Sequence, residues 1–589
     1  MSNRFESFTT GFMRLSPARK MAIAGLLLAV SILIAYSNSF NTGFHFDDSH
    51  QIVKNQHIRH LGNIPEFFTD ASTASYEPGR RLYRPVTLAG FAVSYAFSGY
   101  SPAGYHIFNI SLHLINSFLV LLLVQAILKD AGYKEAFIVS LAASLVFALH
   151  PVQTAAVTYI SGSAALLATF FYLSAFLCFV RFRGAGQTPG VRKYLFAALA
   201  PLFYLLGLLS KEIAATLPAA MLAYDLLFVI PKSGGIRRAR MAWAIYLPFA
   251  AVLLAFVSVK NALQGFLVDN QLSYTSGEYL LSEMKVLIMY MRLLLLPVNQ
   301  NSDYFLQPAR HIDIKVAASV LVAALIVYLL YRTRKKFPAL TFFGAWFFIA
   351  LLPESSVFPI DDIAFEHRLY LPSVGFIAAM VLMLYTLTKA RAAKAGAAIA
   401  VLAAFGILTF GRNSVWATDA TLWSDAASKS GSVRAYANLG HALLIEGRYS
   451  TALAALNTAL KIDPDYTQVY AVHNNIGLCL LELGMNDEAV EEFNRSAQAY
   501  PEAVEPVGNI GLAYLRMGRY GDAAGMFKKA VAMNPGYGLF HLRLAQAYDN
   551  MQNYDGALEE ARTALSLAGD EEQRREAGEL VSRLDTMGR

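Results

Sequence analysis

The chain is poor in charge and in cysteine. Only 15% of its residues are Asp, Glu, Lys or Arg, while 56% are hydrophobic. That balance excludes an ordinary soluble enzyme of several domains and points to a polytopic membrane protein. Two cysteines occur in 589 residues, Cys178 inside an apolar run and Cys479 inside a helical repeat. Neither has a metal ligand nearby in sequence, which argues against thiolate-metal and redox chemistry. The charge is also unevenly shared: residues 1–412 hold 34 Lys/Arg against 19 Asp/Glu, whereas 413–589 hold 15 against 23. A basic membrane part therefore precedes an acidic soluble part. The basic residues lie in short clusters between apolar runs, where membrane topology places them, and no nucleic-acid partner is expected.

Eleven apolar runs are long enough to cross a hydrocarbon core of about 30 Å. They fall near 20–37, 106–128, 136–150, 154–180, 194–209, 212–230, 241–259, 314–331, 338–353, 369–388 and 395–411. The first is expected to be a retained span, because "SNSFNTGF" makes a poor cleavage site and more spans follow. With eleven spans, Arg4, Arg14, Arg19 and Lys20, Lys129 and Lys134, the clusters at 181–193, 231–240 and 332–336, and Lys389, Arg391 and Lys394 share one side. Together they hold 21 of the 34 basic residues of this part, so that side is expected to be the cytoplasm. The stretch 282–297, with Lys285 and Arg292 among apolar residues, breaks the alternation and is expected to be an interfacial or re-entrant helix. The same expectation applies to 83–99.

The soluble part repeats. "YANLGHALL" begins at 436, "HNNIGLCLL" at 473, "VGNIGLAYL" at 507 and "HLRLAQAYD" at 541, with Gly440, Gly477, Gly511 and Ala545 spaced by 37, 34 and 34 residues. Small residues recur twelve positions later at Ala452, Ala489, Ala523 and Ala557, and Pro464, Pro501 and Pro535 close three units. This is a tetratricopeptide pattern of helix pairs. The chain divides accordingly into a membrane domain over 1–412 with its first outer loop at about 38–105, a linker over 413–431, about four repeats over 432–570 and a capping helix over 571–589. Such arrays bind peptides or proteins in a concave groove, or serve as spacers or dimerisation modules.

The candidate chemistry lies at the ends of spans. Just after the first span, "GFHFDDSH" carries Asp47 and Asp48 between His45 and His50. Phe44 and Phe46 read as interfacial anchors, and the two histidines have no assigned role. The topology brings Arg84, His106, His150, Lys211, Glu212, Glu366, His367 and Arg368 to the same face, together with Asp361 and Asp362. Ionisable residues at span ends are costly unless solvated, paired or used. A basic cluster near a carboxylate suits a reaction in which a base removes a proton while a lipid phosphate leaves. Each also has a structural reading: the Asp47–Asp48 pair as a solvated loop or a helix cap, His150 as a cap, Lys211 paired with Glu212, Arg84 snorkelling.

The motifs "FHFDDSHQI", "YRPVT", "YHIFNISLHLINS", "FALHPVQTAAVTYI", "LLSKEIAATLPAAMLAYDL" and "FEHRLYLPSVGF", in that order, resemble the transmembrane and tetratricopeptide-repeat-containing proteins. These are members of the GT-C superfamily and relatives of protein O-mannosyltransferases. The resemblance covers essentially the whole chain. It implies an all-α fold with a GT-C-type membrane domain and a repeat solenoid. It implies that an acidic residue of the first outer loop is the catalytic base, Asp47 or Asp48, with a narrow preference for Asp47. It further implies a polyprenyl-phosphate sugar donor whose phosphate meets Arg84, His106, His150, Lys211, His367 and Arg368, with Glu212 and Glu366 in support. The chain departs from the family pattern at Ala155 and Ser163 after its "HP" pair, and at "EHRLYLPS", where His367 stands at the arginine position. Some GT-C enzymes pair the acidic loop with a divalent cation, so Mg or Mn held by Asp361 and Asp362 is an alternative to plain solvated carboxylates.

The expected function is inverting transfer of a sugar, a hexose such as mannose, from a polyprenyl-phosphate donor to a Ser or Thr hydroxyl of an extracytoplasmic protein recruited by the repeats. The expected location is a bacterial cytoplasmic membrane with the repeats on the periplasmic side. Alternatives are the same chemistry on a glycolipid or polysaccharide, and a non-catalytic membrane-anchored scaffold. A transporter is disfavoured because the ionisable residues gather at span ends and not at the midplane.

Overall fold

Proline and capping residues set where the helices begin. In the computed structural model, which describes residues 15–77, 81–184, 190–231, 244–265, 274–355, 359–360, 362–388 and 390–587, every element is a helix or a turn. The first helix, α1 (Pro17–Ala35), starts behind a Ser16 cap whose hydroxyl accepts from the Arg19 amide. The chain continues through α2 (Pro85–Ser98), α3 (Pro102–Asp130), α4 (Ala136–Leu149), α5 (Ser163–Gly184), α6 (Val191–Leu208), α7 (Leu217–Tyr224) and α8 (Leu247–Gln264). It then forms α9 (Ser276–Leu295), α10 (Ile314–Thr333), α11 (Pro338–Leu351), α12 (Tyr370–Leu387) and α13 (Arg391–Val415). A capping box of Thr275 and Glu278 starts α9, and the Asp313 carboxylate starts α10. Proline at the first turn costs nothing, since that amide has no helical partner.

Among the described residues, nine helices are long and apolar enough to cross a membrane, and ten if α4 and the turn after it count as one bent span. The chain is a polytopic membrane protein. Ten of the eleven expected spans are among these, and the eleventh, at α11, is a shorter apolar helix of 14 residues. Helix α2 is likewise 14 residues, and α9, which carries Glu278, Glu283, Lys285 and Arg292, is not among the nine. Arg4, Arg14, Asp361, Lys389 and most of 231–240 lie outside the described residues.

Two breaks shape the membrane part. Pro151 interrupts the run after α4, and the following one-turn helix bends away by 51°. The second break, at 209–216, separates α6 from α7. A broken helix in a membrane leaves backbone groups that only neighbouring side chains can satisfy, and the buried polar residues on these helices do that. The Asn109 amide donates to the carbonyls of Val157, Tyr159 and Ile160 at 3.2–3.3 Å. The Asn116 amide donates to Leu166 at 3.0 Å, and the Thr409 hydroxyl donates to Leu149 at 2.8 Å. His113 donates from Nε2 to the Ala148 carbonyl at 3.0 Å, while its Nδ1 accepts from the Tyr370 hydroxyl at 2.7 Å. Since lipid is as apolar as a helix face, packing and not water exclusion holds such helices together. Aromatic stacking between α5 and α11, with Phe176 against Phe342 at 5.8 Å and against Trp346 at 5.4 Å, supplies that packing.

Residues 419–589 form a second compact unit. The stretch 413–431, expected as a linker, holds the end of α13 and all of α14 (Asp419–Ser430). Four helix pairs follow: α15 (Val433–Ile445) with α16 (Tyr449–Ile462), α17 (Val469–Glu482) with α18 (Asn486–Ala499), α19 (Val504–Arg516) with α20 (Tyr520–Met533), and α21 (Gly538–Asn550) with α22 (Tyr554–Ser566). A final helix, α23 (Glu571–Met587), buries Ala577, Leu580 and Leu584 against the last pair. The recurrent small residues are at helix contacts: Ala452, Ala489, Ala523 and Ala557 are fully buried.

In the membrane part, Gly375 lets α12 approach α11. A Cβ there would fall 2.5 Å from the Phe343 carbonyl oxygen and 2.6 Å from Trp346 Cβ. Gly375→Val is expected to lose about 1–3 kcal/mol through overpacking, read as a lower thermal unfolding midpoint in detergent. An unchanged midpoint would contradict this packing.

Candidate active site

The "DDSH" loop is tied down by one buried carboxylate. Asp48 is fully buried. Its Oδ2 accepts from the His45 amide at 2.9 Å, and its Oδ1 accepts from the Ser161 amide at 2.9 Å and from the Ser161 hydroxyl. The loop after α1 is thereby fastened to the turn before α5. His45 is also buried, and its Nε2 donates to the Trp416 carbonyl at 2.7 Å. Phe46 takes a left-handed backbone with φ of 49°, which is strained for a non-glycine residue. Its ring packs on Tyr159 and Trp416, with centroids at 5.8 and 6.1 Å, and Phe44 packs on Tyr105 at 5.5 Å. The two phenylalanines therefore brace the loop within the protein.

Asp47 faces the other way. It lines a cavity with Gln51, Arg84, Tyr159, Ser161, Lys211 and His367, closed on its apolar side by Leu82, Leu88 and Phe91. The Asp47 side chain is 51% exposed, and its Oδ1 lies 3.2 Å from His50 Nε2.

Local geometry sets the two cations at this cavity. The Val86 amide donates to the Leu209 carbonyl at 3.2 Å and the Thr87 hydroxyl to the Ser210 carbonyl at 2.9 Å, which staples the start of α2 to the break before α7. Arg84 and Lys211 are thereby neighbours. Arg84 donates from Nε and Nη2 to one oxygen of Glu212 at 3.2 and 2.8 Å, and Lys260 reaches the other oxygen at 2.6 Å. Lys211 pairs with Glu354 at 2.7 Å, and not with Glu212. Burial pushes the Lys211 ammonium below its usual range, partly offset by the Glu354 carboxylate. His367 packs face to face on Phe365 with ring centroids at 5.1 Å.

Four of the residues singled out from the sequence thus share the cavity: Asp47, Arg84, Lys211 and His367. The others lie around it or apart. His106 is buried, with Nε2 donating to the Thr42 hydroxyl at 2.7 Å. His150 is fully buried; its Nδ1 accepts from the Val152 amide at 3.2 Å and its Nε2 donates to the Leu294 carbonyl at 3.1 Å, so it caps the turn at Pro151. Arg368 donates to the carbonyls of Ile363 and Asp362 at 2.9 and 2.7 Å. Glu366 gathers 300–304, accepting from the Gln300 side chain, the Asn301 amide and the Tyr304 hydroxyl at 2.6–2.7 Å. Ala155 and Ser163 are buried. Among the described residues, no group of three His, Cys, Asp or Glu is arranged to hold a metal; Asp361 lies outside those residues.

Sequence reasoning missed Ser161, Glu354 and Lys260. Only Lys260 had a signal, a single cation near the end of an otherwise apolar helix, where an unpaired charge would be costly.

Tetratricopeptide repeat sequence models match residues 433–466, 475–503 and 514–583. A Drosophila melanogaster protein named protein O-mannosyl-transferase Tmtc3 is 25% identical over 91% of this chain and 66% of its own length. The Caenorhabditis elegans protein O-mannosyl-transferase F38B6.6 is 26% identical over 76% of this chain and 64% of itself, and human protein O-mannosyl-transferase TMTC3 is 24% identical over 81% and 55%. The chain therefore spans between 55% and 66% of the length of these relatives.

Burial pushes the Asp48 carboxyl up to about 6 from its ordinary 3.8, against the pull of the His45 and Ser161 donors. Between those values the native chain holds a proton that the unfolded chain has released, so this group's contribution to stability falls as pH rises from about 4 to about 6. Asp48→Asn cannot titrate. The thermal midpoint of the wild type is expected to decline relative to that of Asp48→Asn across this window, and a difference independent of pH would contradict the assignment.

The breaks, the fastened loop and the repeats thus occur in one chain that is similar, at 25% identity over nine tenths of its length, to a protein named protein O-mannosyl-transferase Tmtc3.

Proposed function

We propose that the chain is a GT-C-type glycosyltransferase that moves a hexose from a polyprenyl-phosphate-linked donor to a Ser or Thr hydroxyl of a protein, with inversion at the anomeric carbon. The observation that carries this reading is one cavity lined by a half-exposed carboxylate, Asp47, and by two cations held in ion pairs, Arg84 and Lys211.

Asp47 accepts the proton of the acceptor hydroxyl as the hydroxyl oxygen bonds to the anomeric carbon. The bond from that carbon to the phosphate oxygen breaks, and its electron pair leaves with the phosphate. Phosphate needs no protonation to leave, so one carboxylate suffices, unlike the pair required in glycoside hydrolysis. Arg84 and Lys211 stabilise the departing phosphate. Their carboxylate partners, Glu212 and Glu354, fix them before substrate arrives, which is what makes such charges effective in a partly dry site. Asp48 holds the loop that carries Asp47. His106, His150, Glu366 and Arg368 act in this reading on the backbone around the site.

The donor's lipid tail lies in the bilayer, and the site faces the side opposite the basic clusters. In a bacterial cytoplasmic membrane that is the periplasmic side, where the repeats hold the protein acceptor. A pocket on the repeats lined by Asn438, His441, Tyr466, Gln468 and Asn475 offers uncharged polar groups suited to a peptide backbone.

Asp47→Asn is expected to cut transfer by about 10²–10⁴-fold, the range for loss of a general base. Arg84→Ala is expected to cost about 10–100-fold, the loss of a hydrogen bond to a charged group. The assay is incorporation of label from undecaprenyl-phosphate [3H]mannose into protein, with mass spectrometry locating a hexose on Ser or Thr. Label in lipid instead of protein would favour a glycolipid acceptor, and full activity of Asp47→Asn would overturn the mechanism.

A further inference from the structure

We propose that His50 is the positioning residue for Asp47, holding its carboxylate by a hydrogen bond that is itself set by a relay through Ser75. The inference rests on the reading of Asp47 as the base.

The relay has a consistent polarity. The Glu77 amide donates to Ser75 Oγ at 3.0 Å, Ser75 Oγ lies 2.9 Å from His50 Nδ1, and His50 Nε2 lies 3.2 Å from Asp47 Oδ1. A carboxylate oxygen only accepts, so His50 carries a proton on Nε2. In the neutral ring Nδ1 then accepts, and the Ser75 hydroxyl points its proton there. Every donor in the chain therefore meets an acceptor, from the backbone amide to the carboxylate.

The ring is held from two sides. Besides Ser75, the Tyr76 amide donates to the His50 carbonyl at 3.0 Å, so 75–77 grips both the side chain and the backbone of His50. His50 and Ser75 are 9% and 7% exposed, while half of the Asp47 side chain faces the cavity. The turn Ser49–Val53 brings His50 to the i+3 position from Asp47. A base acts only within hydrogen-bond reach of its proton, so the orientation of the half-exposed Asp47 carboxylate matters. A buried, doubly held donor on one carboxylate oxygen helps to set that orientation.

The test uses the full chain in nanodiscs, with undecaprenyl-phosphate [3H]mannose as donor and incorporation into membrane protein as readout. His50→Ala is expected to lower kcat about 10–100-fold, the cost of losing orientation, while the KM for the donor stays within about twofold. His50→Gln, which keeps an N–H donor, is expected to recover most of the rate, and Ser75→Ala to lose a smaller part. In an Asp47→Asn background, His50→Ala is expected to cost nothing more, since a residue acting only through Asp47 has nothing left to position.

An active His50→Ala beside an inactive Asp47→Asn would overturn the positioning role alone. An active Asp47→Asn, or no incorporation by the wild type, would overturn the reading beneath it. Should His50→Ala fail to fold, Ser75→Ala and His50→Gln decide: full rate in the first with no activity in the second would contradict the relay.

Discussion

The Asp48 carboxylate is the contact on which the rest of the site depends. It joins two segments more than a hundred residues apart, the loop after the first helix and the turn that opens α5, through the amides of His45 and Ser161. A buried carboxylate that accepts several donors is costly to unmake, because each donor would be left unpaired. This contact allows Phe46 to stay in a left-handed conformation and keeps Asp47 at the cavity. Of two adjacent acids, one is thus spent on structure and the other faces the cavity. Sequence position alone does not distinguish them; burial does.

A second constraint is charge. Arg84, Lys211 and Lys260 sit among Glu212 and Glu354 at the ends of helices, where unpaired ions would be expensive. The pairs fix the cations, and the staple of α2 onto residues 209–210 brings Arg84 and Lys211 to a single cavity. Broken helices make this possible. Each break exposes backbone groups, and the buried Asn, His and Thr side chains that satisfy them hold the broken ends rigidly in place.

Much of this was legible from residues. Apolar runs located the helices, and the spacing of Gly440, Gly477 and Gly511 located the repeats, because both patterns are local and periodic. The run at 338–353 forms α11, which ends two residues before the apolar run does. The gathering of Asp47, Arg84 and Lys211 followed from topology. The partners did not: Lys211 finds Glu354 across more than a hundred residues, and Ser161 finds Asp48 across a similar gap, and such pairings leave no periodic trace. The two readings of His150 stayed open for a related reason. A histidine at a helix end looks the same in sequence whether it meets substrate or, as His150 does, caps a turn.

The central claim is that the cavity between Asp47 and the Arg84–Lys211 pair receives the phosphate of a lipid-linked sugar. The most direct measurement is a cryo-electron microscopy structure of the full chain in nanodiscs with undecaprenyl-phosphate bound. The account predicts phosphate density within hydrogen-bond distance of Arg84 and Lys211, with the lipid tail leaving toward the bilayer. Density for the phosphate elsewhere, with this cavity empty at saturating lipid, would contradict it.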